Sequence, residues 1–325
     1  MYRKTYGFAA ALAFAAATLA GAAAQTDPMT GKPFVPLATD QRYQSPWLYI
    51  ESVNDTVIID KFKYDLPRAA ANNLEPVRAL IAASDALGML RQNAYVGATH
   101  NVLGSSTNQW TYYATGTMNG EPVNMRVDWD YKVGTARMGS ELVPALRMQF
   151  ERDVKRKLDS KYAATSSCVD CKDIVVASGN LSWDESKPGV FKQAGKTSAR
   201  ERLLPLYIMP PAVVLLGAKA AGTIKLGNRG GLRELTVPVP QYNTEVKATL
   251  NAKSEIVHTE MTVDGKLYSA DFSGYDNDTM DFHVFFPRKI VQKVDGATVA
   301  DLTISEHLTG RYMIWPVPKE LGGKF

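Results

Sequence analysis

The chain has 325 residues, 45% of them hydrophobic, and a formal net charge of +4. That apolar content is ordinary for a globular protein able to bury a core, and Arg3 and Lys4 alone supply two of the net positive charges. What remains is too weak a field to argue for nucleic acid or an anionic membrane surface as partner.

The first element reads as an export signal. Arg3 and Lys4 precede an apolar run from Gly7 to Ala20, and the small residues Ala22, Ala23 and Ala24 then precede Gln25. This order of charged, apolar and small residues marks residues 1–24 as a cleaved secretory signal and places the mature chain in the periplasm or outside the cell. The run is shorter than the roughly 20 apolar residues that span a bilayer. The first cysteine is Cys168, so no lipid anchor is expected at Gln25. Residues 25–45 hold Pro, Thr and Asp without periodicity and read as an extended lead-in, followed by a single domain over 46–325.

Within that domain, Trp47 to Ile59 alternates and carries β-formers, which predicts one or two strands. Glu75 and Pro76 open a helix with Val77, Leu80, Ile81, Leu87 and Leu90 on one face. Strand patterns Trp110–Met118 and Glu121–Tyr131 flank Asn119-Gly120, a strong hairpin signal. Asp264-Gly265 and Asp295-Gly296 repeat the device between Glu255–Val263 and Lys266–Ser273, and between Ile290–Val294 and Ala297–Ser305. Three such turns predict a mainly β (α+β) fold with antiparallel meander topology, curved into an open barrel or wrapped sheet.

Two interruptions break the strand pattern. From Pro144 to Leu158, the apolar residues Val143, Leu146, Phe150, Val154 and Leu158 recur at steps of three and four and predict an amphipathic helix. It belongs to an insertion at about 140–173 that also holds Cys168 and Cys171. In an oxidising compartment a small-loop disulfide between these two is the expected state. Lys172 follows in place of the His that haem attachment needs, and two thiolates fall short of a four-ligand zinc site. The second interruption, Leu203 to Ala221, is the most apolar stretch after the signal. Pro205, Pro210 and Pro211 break it, so a short buried helix after Pro211 fits better than a membrane span, and the mature chain is expected to have none.

No nucleophile elbow, His-Glu-x-x-His helix or phosphate loop occurs, and Gly227 to Gly231 reads as a turn. His258 and Glu260, like Asp281 and His283, lie two apart on predicted strands and so share a face. Two such pairs on neighbouring strands could make a two-His, two-carboxylate metal site, while polar residues two apart equally describe the wet face of a sheet. Asp128 and Asp130 flank Trp129 and read as a solvated edge. With no catalytic constellation, a non-enzymatic role without a cofactor is the main expectation, and a metal-dependent enzyme using His258, Glu260, Asp281 and His283 is the alternative.

The segments Trp110 to Met138, Ile174 to Trp183, Arg200 to Ala221 and Tyr268 to Ile304 resemble the periplasmic lipoprotein carriers LolA and LolB. More narrowly, they resemble uncharacterised LolA-like modules found upstream of metallo-β-lactamase-type domains. The resemblance implies a curved sheet or open half-barrel with helices packed on its concave side. It also implies an apolar space that receives acyl chains, with Val213, Leu215 and Leu216 facing it from the helix and Trp129, Trp183, Phe272 and Phe285 from strands. The expected ligand is a hydrophobic small molecule or lipoprotein. A further alternative is an interaction module whose edge strand pairs with an envelope protein.

Overall fold

A computed structural model describes residues 56–92, 100–103, 109–131, 145–151, 173–178, 181–187, 189–277, 284–309 and 317–322. Signal, lead-in, Cys168 and Cys171 lie outside these residues, as do Asp281 and His283.

The first described elements form a small layer. Strands β1 (Thr56–Ile59), β2 (Phe62–Asp65), β3 (Leu90–Gln92) and β4 (His100–Leu103) make a four-stranded sheet in the order β1-β2-β4-β3, and helix α1 (Leu74–Ala86) lies between β2 and β3 in sequence. Of the face read from periodicity, Val77 and Leu80 are fully enclosed within α1 and Ile81 is half-buried, whereas Leu87 is buried just past the helix end and Leu90 belongs to β3. The β1–β2 turn places Asp60 and Lys61 at φ 50° and 72°. Lys carries no signal for that left-handed conformation, so this hairpin was not visible in the sequence.

The main sheet is two meanders joined edge to edge. The first comprises β5 (Gln109–Met118), β6 (Glu121–Asp130), β7 (Ala145–Glu151), β8 (Asp173–Ser178), β9 (Leu181–Lys187) and β10 (Val190–Ala194). The second comprises β11 (Lys225–Arg229), β12 (Leu232–Val239), β13 (Thr244–Leu250), β14 (Ile256–Val263), β15 (Lys266–Asn277), β16 (Phe285–Val294) and β17 (Ala297–Thr309). Strand β17 pairs antiparallel with β5, giving one 13-stranded sheet with β10 and β11 as its edges. It is antiparallel and open. The seam needs a glycine at 116: a Cβ there would sit 2.0 Å from the Asp301 carbonyl oxygen. All three expected hairpins form, with Asn119/Gly120, Asp264/Gly265 and Asp295/Gly296 at φ 51°/82°, 51°/79° and 49°/82°, the left-handed pair that a tight antiparallel turn requires.

Two helices, α2 (Ala199–Tyr207) and α3 (Pro210–Lys219), carry the chain from the β10 edge to the β11 edge. Their side chains report the sheet's curvature. Arg202 donates to the Val176 and Trp183 carbonyls (3.1 and 2.8 Å) and pairs with Asp184 at 2.7 Å. Two residues earlier, Arg200 pairs with Asp264 in the β14–β15 turn and stacks over Tyr242 at 4.8 Å. Seven strand steps separate β9 from β15 in the sheet order, about 34 Å if the sheet were flat at about 4.8 Å per step. A nine-residue helix, about 13 Å long, reaches both, so the sheet curls around it and the helices lie on the concave side.

The structure corrects two expectations. Residues Ala145–Glu151 form strand β7, not the start of an amphipathic helix, because pairing with β6 and β8 along the whole segment outweighs a local three-and-four spacing. Asp128 and Asp130 are buried and not a solvated edge. Arg126 and the Thr111 hydroxyl both hydrogen-bond Asp128, which supplies the partners a buried carboxylate needs.

Candidate functional site

The concave interior is the candidate site, and α3 occupies it. Every residue from Pro210 to Ala218 is buried, an all-round burial expected of a helix with no polar face. Gly217 lets it approach α1, since a Cβ there would meet Leu80 at 2.6 Å. The Asn73 side chain donates to the Ala221 and Ile224 carbonyls at 2.9 and 2.8 Å and ties down the chain after α3.

The break between α2 and α3 follows from the prolines. The two helices meet at 89°. Pro210 has no N–H to give the Leu206 carbonyl four residues back. The Tyr131 hydroxyl donates to that carbonyl at 3.0 Å, and the Thr259 hydroxyl donates to the Ile208 carbonyl at 2.6 Å. Two buried hydroxyls from opposite wings of the sheet thus hold a broken helix in place. Burial pushes the Tyr131 phenol well above its ordinary pKa, with Tyr207 and Tyr112 adding to the effect, so it stays a donor. Neither Tyr131 nor Thr259 stood out in the sequence. The available signal was that Tyr131 lies two residues beyond Trp129 and so shares its face.

Around Trp129 the sheet presents an aromatic group. Trp110, Tyr112, Tyr131 and Phe286 have ring centroids 6.3, 5.3, 6.0 and 5.9 Å from it, and His307 stacks against Trp110 at 6.3 Å. Trp129, Phe272, Val213, Leu215 and Leu216 all belong to one continuous buried core, so these five expected groove residues do come together. All five are buried in it. Trp183 goes elsewhere: with Ile174 and Val176 it forms a separate cluster, and its indole N–H donates to Glu185 at 3.0 Å. Phe285 is half-buried and outside the core, where its neighbour Phe286 sits, as strand alternation requires.

The metal alternative finds no cluster of ligands among the described residues. His258 Nδ1 lies 2.7 Å from Asp271 on the paired strand, and Glu260 is engaged by Arg229 at 2.8 Å. Lys293 completes the row on Asp271 at 2.8 Å. Burial raises the Glu260 and Asp271 pKa values, but Arg229 on the one and Lys293 with His258 on the other hold them below the ordinary range. This is the cross-strand ion-pair pattern of a sheet's wet face. A separate, open surface pocket of about 380 Å³ lies between the β1–β2 hairpin and α1, lined by Phe62, Tyr64, Arg78 and Ile81 among others. The Arg78–Asp60 pair, at 2.9 Å, lies within it.

No protein-family model and no curated protein matches the chain. Among solved structures, the chain is similar to a LolA superfamily protein from Nitrosomonas europaea (13% identity, TM-score 0.36, covering 77% of this chain and 97% of that one). It is also similar to a DUF1329 family protein from Desulfovibrio piger (7% identity, TM-score 0.37, covering 72% and 92%). A third, MucB, aligns at 9% identity and a TM-score of 0.22 over 77% of this chain and 62% of its own. At these TM-scores the likenesses establish no shared fold or function.

Proposed function

We propose that this chain is an exported, non-enzymatic binding or carrier protein for an apolar ligand, such as a lipid or a lipoprotein acyl chain, that works in the periplasm or outside the cell. One observation carries the reading: the concave interior is filled by a helix apolar on every side and hinged at a proline break. A helix of that composition belongs where apolar matter belongs, and an acyl chain gaining roughly 0.8 kcal/mol per buried methylene can replace it. The ligand enters as α3 leaves, and the Leu206–Met209 break is where the chain bends. The charged pairs on the outer face and the sheet itself need not change.

Native mass spectrometry of protein purified gently from its own envelope tests the reading. Co-purified lipid, or a rise in melting temperature on adding acylated compounds, is the expected result. Bare protein with no thermal response to any acyl compound defeats it.

A further inference from the structure

The indole N–H of Trp129 is fully buried and has no hydrogen-bond acceptor among the described residues. An orphaned buried donor costs about 1–3 kcal/mol, and native interiors leave few of them. This one faces the concave interior beside the hinge of the plug. Tyr131 lies two residues on, just past the end of β6, with its ring 6.0 Å away and its hydroxyl on the Leu206 carbonyl. The Tyr131 and Thr259 hydroxyls are held by the Leu206 and Ile208 carbonyls, which precede α3, so when α3 withdraws the Trp129 N–H is the donor in search of oxygen.

The charge around them narrows the partner. Among the described residues, the buried carboxylates of this half of the sheet lie on the other face: Asp128 and Asp130 alternate with Trp129 and Tyr131, and Glu185 is paired with Arg147 at 3.0 Å. Among the described residues no Lys or Arg is buried. His307 is the interior imidazole, with its Nε2 3.2 Å from the Val284 carbonyl. A site with a free N–H donor and, among the described residues, no buried Lys or Arg suits a neutral acceptor and penalises an ionised one, because burying an unpaired carboxylate or phosphate is far costlier than burying a carbonyl.

Resting on the carrier reading, we propose that the interior selects acyl ligands whose polar end is a neutral ester or amide carbonyl, and that the Trp129 indole N–H donates to that oxygen. Free fatty acids and bare hydrocarbons of equal length are the disfavoured relatives. The competing fate of the N–H is a weak contact with the face of Tyr112 or Tyr131, whose ring planes lie at 73° and 66° to the Trp129 indole plane.

The test uses the delipidated mature chain with three probes: hexadecane, methyl palmitate, and palmitate at pH 8. One neutral hydrogen bond, net about 1 kcal/mol, makes the ester bind about fivefold tighter than the alkane, with palmitate weaker than the ester. In Trp129→Phe the ester-to-alkane ratio falls to about one. Because that variant also removes buried volume, the wild-type protein carries a second readout: with 15N-labelled tryptophan, the Trp129 Nε1–H resonance moves downfield on adding methyl palmitate and stays put with hexadecane. Ester and alkane binding equally, with the resonance unmoved, overturns the inference and leaves the carrier reading standing. Failure of all three probes to bind overturns both.

Discussion

Leu215→Ala separates a plug from an ordinary core helix. Leu215 is fully buried in α3, and removing its three outer carbons leaves a cavity that costs about 3 kcal/mol, within the usual span of about 2–5 for Leu→Ala in a core. If α3 must leave before a ligand enters, the apparent dissociation constant is the intrinsic one divided by the fraction of molecules with α3 displaced. Weakening the closed state by about 3 kcal/mol raises that small fraction about 150-fold. Urea unfolding should therefore show lower stability while a dye-displacement titration with methyl palmitate shows markedly tighter binding. A variant that loses the stability but binds the ester no better refutes the reasoning, because α3 then does not stand between ligand and interior.

Further predictions concern the frame and the compartment. Gly116→Ala drives a Cβ into the Asp301 carbonyl at the β5–β17 seam and should cost about 3 kcal/mol or more, read as a lower urea midpoint; a neutral result would mean that the seam is not formed as described. Burial raises the pKa of Asp184, but the Gln193 and Arg202 hydrogen bonds hold it below the ordinary range. Together with Glu260 and Asp271 it contributes stability that is in place above the unfolded value of about 4 and is lost as pH falls through the lower folded values. The urea midpoint should accordingly hold steady down to about pH 5 and fall steeply below about pH 4, and stability that rises on acidification would contradict these pairs. Expressed in a Gram-negative host, the chain should yield a periplasmic product beginning at Gln25 with no titratable thiol, checked by intact mass and thiol assay; a full-length or fully reduced product would count against the export reading.

The sequence revealed the fold where turn chemistry is local. Asn-Gly and Asp-Gly specify left-handed pairs that few other residues accept, so three hairpins and the meander they impose were legible. The proline break between α2 and α3 was legible for the same reason, since a missing N–H is a property of one residue. The capping box was legible in principle: Ser198 and Glu201 hydrogen-bond each other's backbone N–H at 3.2 Å, and a Ser-x-x-Glu spacing advertises it. What failed was periodicity over a short stretch. Leu146 and Phe150, four apart, fit a helix as well as a strand, and only the neighbours β6 and β8 decide between them. The site was half legible for a related reason. Large apolar residues could be named as interior, but which strand face each occupies depends on register. Hence Trp183 and Phe285 fall outside the core that holds Trp129 and Phe272, and the hydroxyls of Tyr131 and Thr259 carried no local mark.

Amide hydrogen exchange of the 212–219 segment, with and without saturating methyl palmitate, bears most directly on the idea that ligand and helix compete for one space. Ligand should speed exchange in α3 while the amides of β12 and β13 keep their protection. Bound ligand with α3 amides as protected as before, or more so, would mean that the interior stays closed and the ligand sits elsewhere.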